Sequence, residues 1–218
     1  MKFDLKKEVP GYRARSGAWD MIDVPPLRYL MIDGHGDPNT TVYAEAVQTL
    51  YSVAYPLKFM SKKELDRDYV VMPLEALWWA EDMMSFTQRR DKAQWDWTAM
   101  ILTPDWITDD HYARAAAASH GPMVHRLRLE TLHEGPCLQL LHVGSYDDEG
   151  PALDRLHREV IPSRSLRMTG RHHEIYLSDP RRADPAKLRT ILRQPVERIH
   201  GFEEPSGSGW PAVHSDPT

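Results

Sequence analysis

The stretch His172-His173-Glu174-Ile175-Tyr176-Leu177-Ser178-Asp179-Pro180 reads as a short strand closed by a turn. Ile175 and Leu177 alternate with Glu174, Tyr176 and Ser178, and successive strand side chains point to opposite faces. The pattern predicts Ile175 and Leu177 on a hydrophobic core, with Glu174 and Tyr176 sharing the other face. Asp179-Pro180 ends the strand, because Pro has no N–H to give to a ladder. A carboxylate beside a phenol in mid-strand suits two environments. One is a solvated sheet face, the commoner home of Glu. The other is a concave face that meets a ligand.

Upstream, residues 1–25 are polar and broken by Pro10-Gly11 and Ser16-Gly17, which predicts an irregular arm lying across the surface. Leu27 to Asp33 reads as a strand and Gly34 to Pro38 as a turn. Asn39 or Thr40 can cap a helix in which Tyr43, Ala46, Val47, Leu50, Ala54 and Leu57 recur at helical spacing. Pro56 should kink or end it. Tyr69 to Trp79 is the next strand, residues 81–94 a polar connection, and Trp95 to Thr103 a strand with Trp95 and Trp97 on one face. Thr108-Asp109-Asp110 opens an alanine-rich helix that Gly121-Pro122 closes.

The second half starts with a half-exposed strand from His125 to His133 and a turn at Glu134-Gly135-Pro136. Cys137 to Val143 is a more apolar strand. Asp148 and Glu149 lie just before Pro151, in the first turn of a helix whose stripe is Leu153, Leu156 and Val160. After the opening stretch comes a proline-bearing basic turn, then a last strand from Arg189 to Val196, where Pro195 predicts an edge. Residues 201–218 are rich in Gly, Ser and Pro and predict a disordered tail.

The two halves repeat one order, strand, helix, strand, strand, over residues 26–104 and 123–197. Leu74-Glu75-Ala76-Leu77-Trp78-Trp79 falls in the slot of His173-Glu174-Ile175-Tyr176-Leu177-Ser178. The expected fold is therefore α+β: duplicated β-α-β-β units in one antiparallel sheet, helices on one face and a ligand groove on the other. In that arrangement Glu75 and Glu174 are quasi-equivalent residues near the seam between the halves.

Composition narrows the function. The net charge of −5 comes with no basic stripe, which argues against direct nucleic-acid binding. Cys137 is the only cysteine, so intrachain disulfides are excluded and no oxidising compartment is needed. No apolar run approaches a membrane span and the N-terminus lacks a signal-peptide pattern, so a cytoplasmic protein is expected. The 11 histidines include no His-Glu-x-x-His, and neighbouring His172 and His173 point apart on a strand, so no metal site is expected. Gly34-His35-Gly36 is a turn rather than a phosphate loop. Oligomeric state is not legible.

Three stretches carry a resemblance. Tyr69-Val70-Val71-Met72-Pro73-Leu74-Glu75-Ala76-Leu77-Trp78-Trp79 resembles the first signature of stand-alone GyrI-like proteins, and His142-Val143-Gly144-Ser145-Tyr146 resembles their Gly-Pro-Tyr element, with Ser145 where Pro is common. The opening stretch resembles their last signature. The likeness covers roughly residues 1–200 and implies a single domain of the SOUL/GyrI-like fold. It also implies a central ligand groove in which Glu174 is the main pocket residue. In relatives fused to DNA-binding domains that groove senses drugs, and no helix-turn-helix is expected here. The Leu-Glu-x-Leu-Trp-Trp and His-His-Glu-Ile-Tyr-Leu motifs are similar to those of a branch of cyclopropyl hydrolases. These open the cyclopropane of cyclopropanoid DNA-alkylating natural products and so give detoxification and antibiotic resistance.

The residues present suit that chemistry. Adding water to a cyclopropane conjugated to a dienone aromatises the neighbouring ring. It needs a base for the water and a donor for the oxygen that collects charge. Glu174 is the expected base, with Glu75 sharing that work or acting as acid, and Tyr146 and Tyr176 are phenolic donors. Trp78, Trp79, Trp97, Trp106 and Tyr112 are candidate walls for a hydrophobic aromatic small molecule, although core packing suits Trp97 equally. His142 could orient a carboxylate. No cofactor is required. The alternative is a non-catalytic module that sequesters an aromatic or cationic drug. A third reading is an inhibitor that binds another protein, as the family's namesake binds DNA gyrase.

Overall fold

A computed structural model describes residues 2–81 and 91–199. The expected tail, 201–218, and most of the polar connection at 81–94 lie outside the described residues. The chain runs β1 (Lys2–Phe3), α1 (Leu5–Glu8), β2 (Asp20–Val24), β3 (Leu27–His35), α2 (Thr41–Glu64), β4 (Asp68–Tyr69), β5 (Leu74–Trp79), β6 (Asp96–Leu102) and α3 (Asp109–Ala117). It continues through β7 (Arg128–Leu132), β8 (Gly135–Val143), α4 (Gly150–Arg155), a π-helical turn (Leu156–Val160), α5 (Ile161–Ser163), β9 (Leu166–Met168), β10 (His172–Tyr176) and β11 (Arg189–Arg198).

One antiparallel sheet carries the fold, in the order β2-β8-β11-β10-β5-β6-β3-β7, with β9 on the end of β11. The duplicated unit is plain in that order. β3, α2, β5 and β6 form one half, and β8, the α4 segment, β10 and β11 form the other. The halves meet where β10 pairs antiparallel with β5.

Both helical segments cover the same face. Tyr43 of α2 stacks on Trp78, with ring centroids 5.8 Å apart, and meets Trp97 edge-on at 4.9 Å. Leu156 packs with Leu138, Leu140 and Leu192, and Leu192 is the cross-strand partner of Glu174. Directly paired residues share a face, so Glu174, Ala76, Trp78 and Trp97 all stand on the helix side.

Several local expectations change. α2 does not end at Pro56 but continues to Glu64. An interior Pro costs about 3 kcal/mol, which burial of Val53, Ala54 and Leu57 around it offsets. The predicted Tyr69–Trp79 strand is broken by Pro73: Asp68–Tyr69 pairs in parallel with Lys2–Phe3, and Leu74–Trp79 alone joins the main sheet. The strand carrying Pro195 is not at an edge, since β8 and β10 flank it. Pro195 falls where β11 leaves β10 for β9, and its carbonyl accepts from the Thr169 N–H at 3.1 Å. The N-terminal arm is no surface strand of coil, for it forms β1, α1 and β2 and buries Tyr12 and Trp19.

Candidate functional site: a carboxylate ringed by phenols and indoles

The helix side of the seam holds the candidate site, contrary to the expectation of a groove on the helix-free face, because Glu174 is paired with Leu192, on which Leu156 packs. Strand alternation on β10 puts His172, Glu174 and Tyr176 in a row on that face. The Tyr176 hydroxyl donates to Glu174 Oε2 at 2.8 Å, and the Trp78 indole N–H donates to the Tyr176 oxygen at 3.0 Å. The Tyr146 ring meets Tyr176 edge-on at 5.4 Å, and Trp95 meets Trp78 edge-on at 5.7 Å. The Glu174 side chain is only 13% exposed.

Electrostatics keep the phenols protonated. Burial, then the Glu174 charge, pushes Tyr176 well above the ordinary phenol range and raises Tyr43 as well. Tyr146 is pushed up to about 12 by burial and by the carboxylates of Glu149 and Glu174. Such groups are hydrogen-bond donors throughout the physiological range. An open surface cavity of about 590 Å3 is lined by Asp37, Asp91, Lys92, Ala93 and Asp147, none of which belongs to this cluster. Its rim connects to Glu174 along two routes: Lys92 over Trp95, then Trp78 and Tyr176, or Asp147 to its neighbour Tyr146, then Tyr176.

Glu75 lies elsewhere. Its cross-strand partner is Ile175, so it points to the opposite face, where it is fully buried. Its Oε1 accepts from the Tyr12 hydroxyl, and its Oε2 meets His173 Nε2 at 2.9 Å. His173 Nδ1 meets Glu134 at 2.9 Å, and Arg193 donates to Glu134 at 2.8 Å and to the Gly11 carbonyl at 2.9 Å. Burial alone would lower His173, but Glu134 and Glu75 outweigh it and raise its pKa. Burial opposes Glu134 too, yet His173 and Arg193 hold it down at about 2.

Residues 19–197 match the family of GyrI-like small molecule binding domains. The chain belongs to this GyrI-like family. An uncharacterized conserved protein from Listeria innocua is 37% identical, with a TM-score of 0.81 covering 89% of this chain and 100% of the other. Two further structures, each named a hydrolase from Listeria innocua, are 37% and 36% identical, with TM-scores of 0.78 and 0.76. They cover 90% and 89% of this chain and 100% of their own. No curated protein matches. Among the described residues, no helix is long and apolar enough to cross a membrane, and no group of three or more His, Cys, Asp or Glu could hold a metal.

Of the residues read from this GyrI-like sequence, the structure brings together Glu174, Tyr176, Tyr146 and Trp78. Trp97 is fully buried beneath Tyr43, and a Cβ at Gly34 would overlap its ring, so it is floor rather than wall. Trp79 shares the Glu75 face, as parity predicts, with the Arg171 guanidinium 3.4 Å over its ring. Trp106 is remote: it packs on Phe3 and donates to Ser61 Oγ at 2.9 Å. Tyr112 is remote as well, donating to the Leu127 carbonyl at 2.6 Å. His142 orients no carboxylate. Its Nε2 lies 3.0 Å from the Ser145 carbonyl, holding the turn that presents Tyr146.

Four site residues escape the sequence reading. Tyr43 looks like one more core position of α2. Trp95 sits just before its strand. Glu149 looks like a helix-start acid, yet it is 4% exposed and acts on both Tyr146 and Tyr176. His172 stands two residues before Glu174 on the same face, a spacing that could have flagged it.

Proposed function

We propose that this GyrI-like domain is a cofactor-independent hydrolase that adds water to the strained ring of cyclopropanoid genotoxins. The observation that carries the reading is Glu174, a largely buried carboxylate bonded to one phenol and enclosed by others and by indoles. The likeness to Listeria innocua proteins named hydrolases supports an enzyme over a passive binder.

In this reading Glu174 orients a water and takes its proton as the oxygen attacks the ring CH2. The bond from CH2 to the neighbouring ring breaks, and its electron pair aromatises that ring and collects on the carbonyl oxygen. Tyr146, a neutral phenol, hydrogen-bonds that oxygen and protonates it, a preorganised donor of the oxyanion-hole type. Tyr176 stands between the two and can return the proton from Glu174 toward Tyr146. The sum is one water added. Trp78, Trp95 and Tyr43 supply flat apolar area that holds an extended aromatic substrate and excludes bulk water.

A second reading, capture of an aromatic cation, draws on two carboxylates, the buried Glu149 and Glu174, that both act on Tyr146. One assay separates them. Incubation with a cyclopropane-bearing alkylator, followed by absorbance and mass, should give many turnovers and a gain of one water per molecule. Stoichiometric binding of unchanged compound would overturn the hydrolase.

A further inference from the structure

The mechanism above leaves two imidazoles unused. The His172 side chain is 11% exposed, and neither ring nitrogen has a hydrogen-bond partner. Its Nε2 lies 3.5 Å from Glu174 Oε1, beyond a good direct bond. The other Glu174 oxygen is taken by Tyr176. His157 Nε2, on the π-helical turn, is also buried without a partner. Such turns insert an extra residue into a helix and recur at functional sites. A buried polar atom without a partner is destabilising, so these nitrogens need an occupant that hydrogen-bonds them.

We propose that His172 and Glu174 together hold the water that attacks the ring. This rests on the hydrolytic reading. Two acceptors 3.5 Å apart allow one water oxygen to sit at about 2.8 Å from each. One hydrogen points to Glu174 Oε1 and the other to His172 Nε2, which leaves the lone pairs directed at the substrate. On attack the first hydrogen passes to Glu174 as a proton. The second stays on the oxygen as the product hydroxyl, still bonded to His172. The new C–O bond forms as the ring bond breaks, with its electron pair going to the substrate carbonyl.

The role requires an imidazole nitrogen that accepts a hydrogen bond from the water, and the cross-strand partner Trp78 offers His172 no competing charge.

The test compares wild type with His172→Leu and His172→Gln on a cyclopropane-bearing alkylator. The Leu variant should lose about ten-fold or more in kcat while substrate affinity changes less than about two-fold, the loss of one oriented hydrogen bond. Gln offers an acceptor near the Nε2 position. It should recover part of the kcat that the Leu variant loses. A folded Leu variant at full kcat, or a folded Gln variant with no more kcat than Leu, overturns the proposal; if Leu does not fold, a folded Gln variant without measurable kcat overturns it. A ligand-free crystal structure should also contain an ordered water bridging the two side chains, and its absence at high resolution counts against the role. Wild type without turnover sinks the hydrolytic reading itself, a distinct failure.

Discussion

Glu75 and Glu174 sit on paired strands one residue out of step, Glu75 opposite Ile175 and Glu174 opposite Ala76, so their carboxylates leave opposite faces of one sheet. That offset assigns them different work. Glu174 faces the phenols, with Tyr176 bonded to its Oε2. Glu75 closes a buried quartet, Glu75, His173, Glu134 and Arg193, under the N-terminal arm.

Isosteric substitution should separate the two roles. Glu174→Gln keeps the shape and the Tyr176 bond but removes the base, so turnover should vanish while ligand affinity stays near wild type. Glu75→Gln removes a buried charge that His173 and Tyr12 depend on and should cost about 3 kcal/mol of stability. Urea denaturation reads the second effect and steady-state kinetics the first. Full-rate hydrolysis by Glu174→Gln would refute the base assignment.

The offset also marks how far the sequence could be read. The order of strands and helices was legible because apolar periodicity and turn residues repeat in each half. Aligning Glu75 with Glu174 misses by one residue, and a one-residue slip turns a strand side chain to the other face. The alignment consistent with the pairing sets Ala76 against Glu174 and Trp78 against Tyr176, the two rings that hydrogen-bond each other. Too few identities link the halves to prefer it beforehand. Tyr12 was hidden for another reason: Pro10-Gly11 reads as a loop, and nothing local announces that the next side chain plugs a charged network 63 residues away. Tyr43 and Glu149 were seen, but as core and cap, because helical spacing does not say which helix faces meet a second half-domain.

The buried quartet should imprint a pH window on stability. His173 has a folded pKa raised above its usual 6.5, so its contribution is complete below 6.5 and fades as pH rises through the raised value. Glu134 is depressed from 4.5 to about 2, so its contribution is complete above 4.5 and fades as pH falls toward 2. Both are present together between 4.5 and 6.5. Unfolding free energy followed across pH should plateau there, and His173→Gln should remove the alkaline decline. An unchanged alkaline limb in that variant would rule out His173 as its source.

Gly11 should tolerate no side chain. Its φ is +97°, in the region that favours glycine, and a Cβ there would overlap Arg193 Nη2 and lie 3.1 Å from its Cζ. Arg193 cannot retreat without leaving Glu134, since it is fully buried and bonds both Glu134 and the Gly11 carbonyl. Gly11→Ala should lose roughly 2 kcal/mol from backbone strain alone, read as a lowered thermal midpoint. A wild-type midpoint would mean that the arm is not held by this contact.

Tyr146→Phe tests the donor side of the mechanism. Burial and the carboxylates of Glu149 and Glu174 push the phenol up to about 12, so it stays protonated and kcat should show no alkaline loss below that range. The ring contact with Tyr176 survives in Phe, which isolates the hydroxyl. Loss of one preorganised donor aimed at developing negative charge should lower kcat on the order of 100-fold with little change in affinity. Glu149→Gln offers the converse. Removing that charge should draw the Tyr146 pKa down, measurable by the ultraviolet difference spectrum of tyrosinate, and bring an alkaline limb within reach. If Tyr146→Phe hydrolyses at the wild-type rate, the proton for the product oxygen comes from another phenol, and Tyr43, raised by burial and by Glu174 on the same face, is the next to substitute.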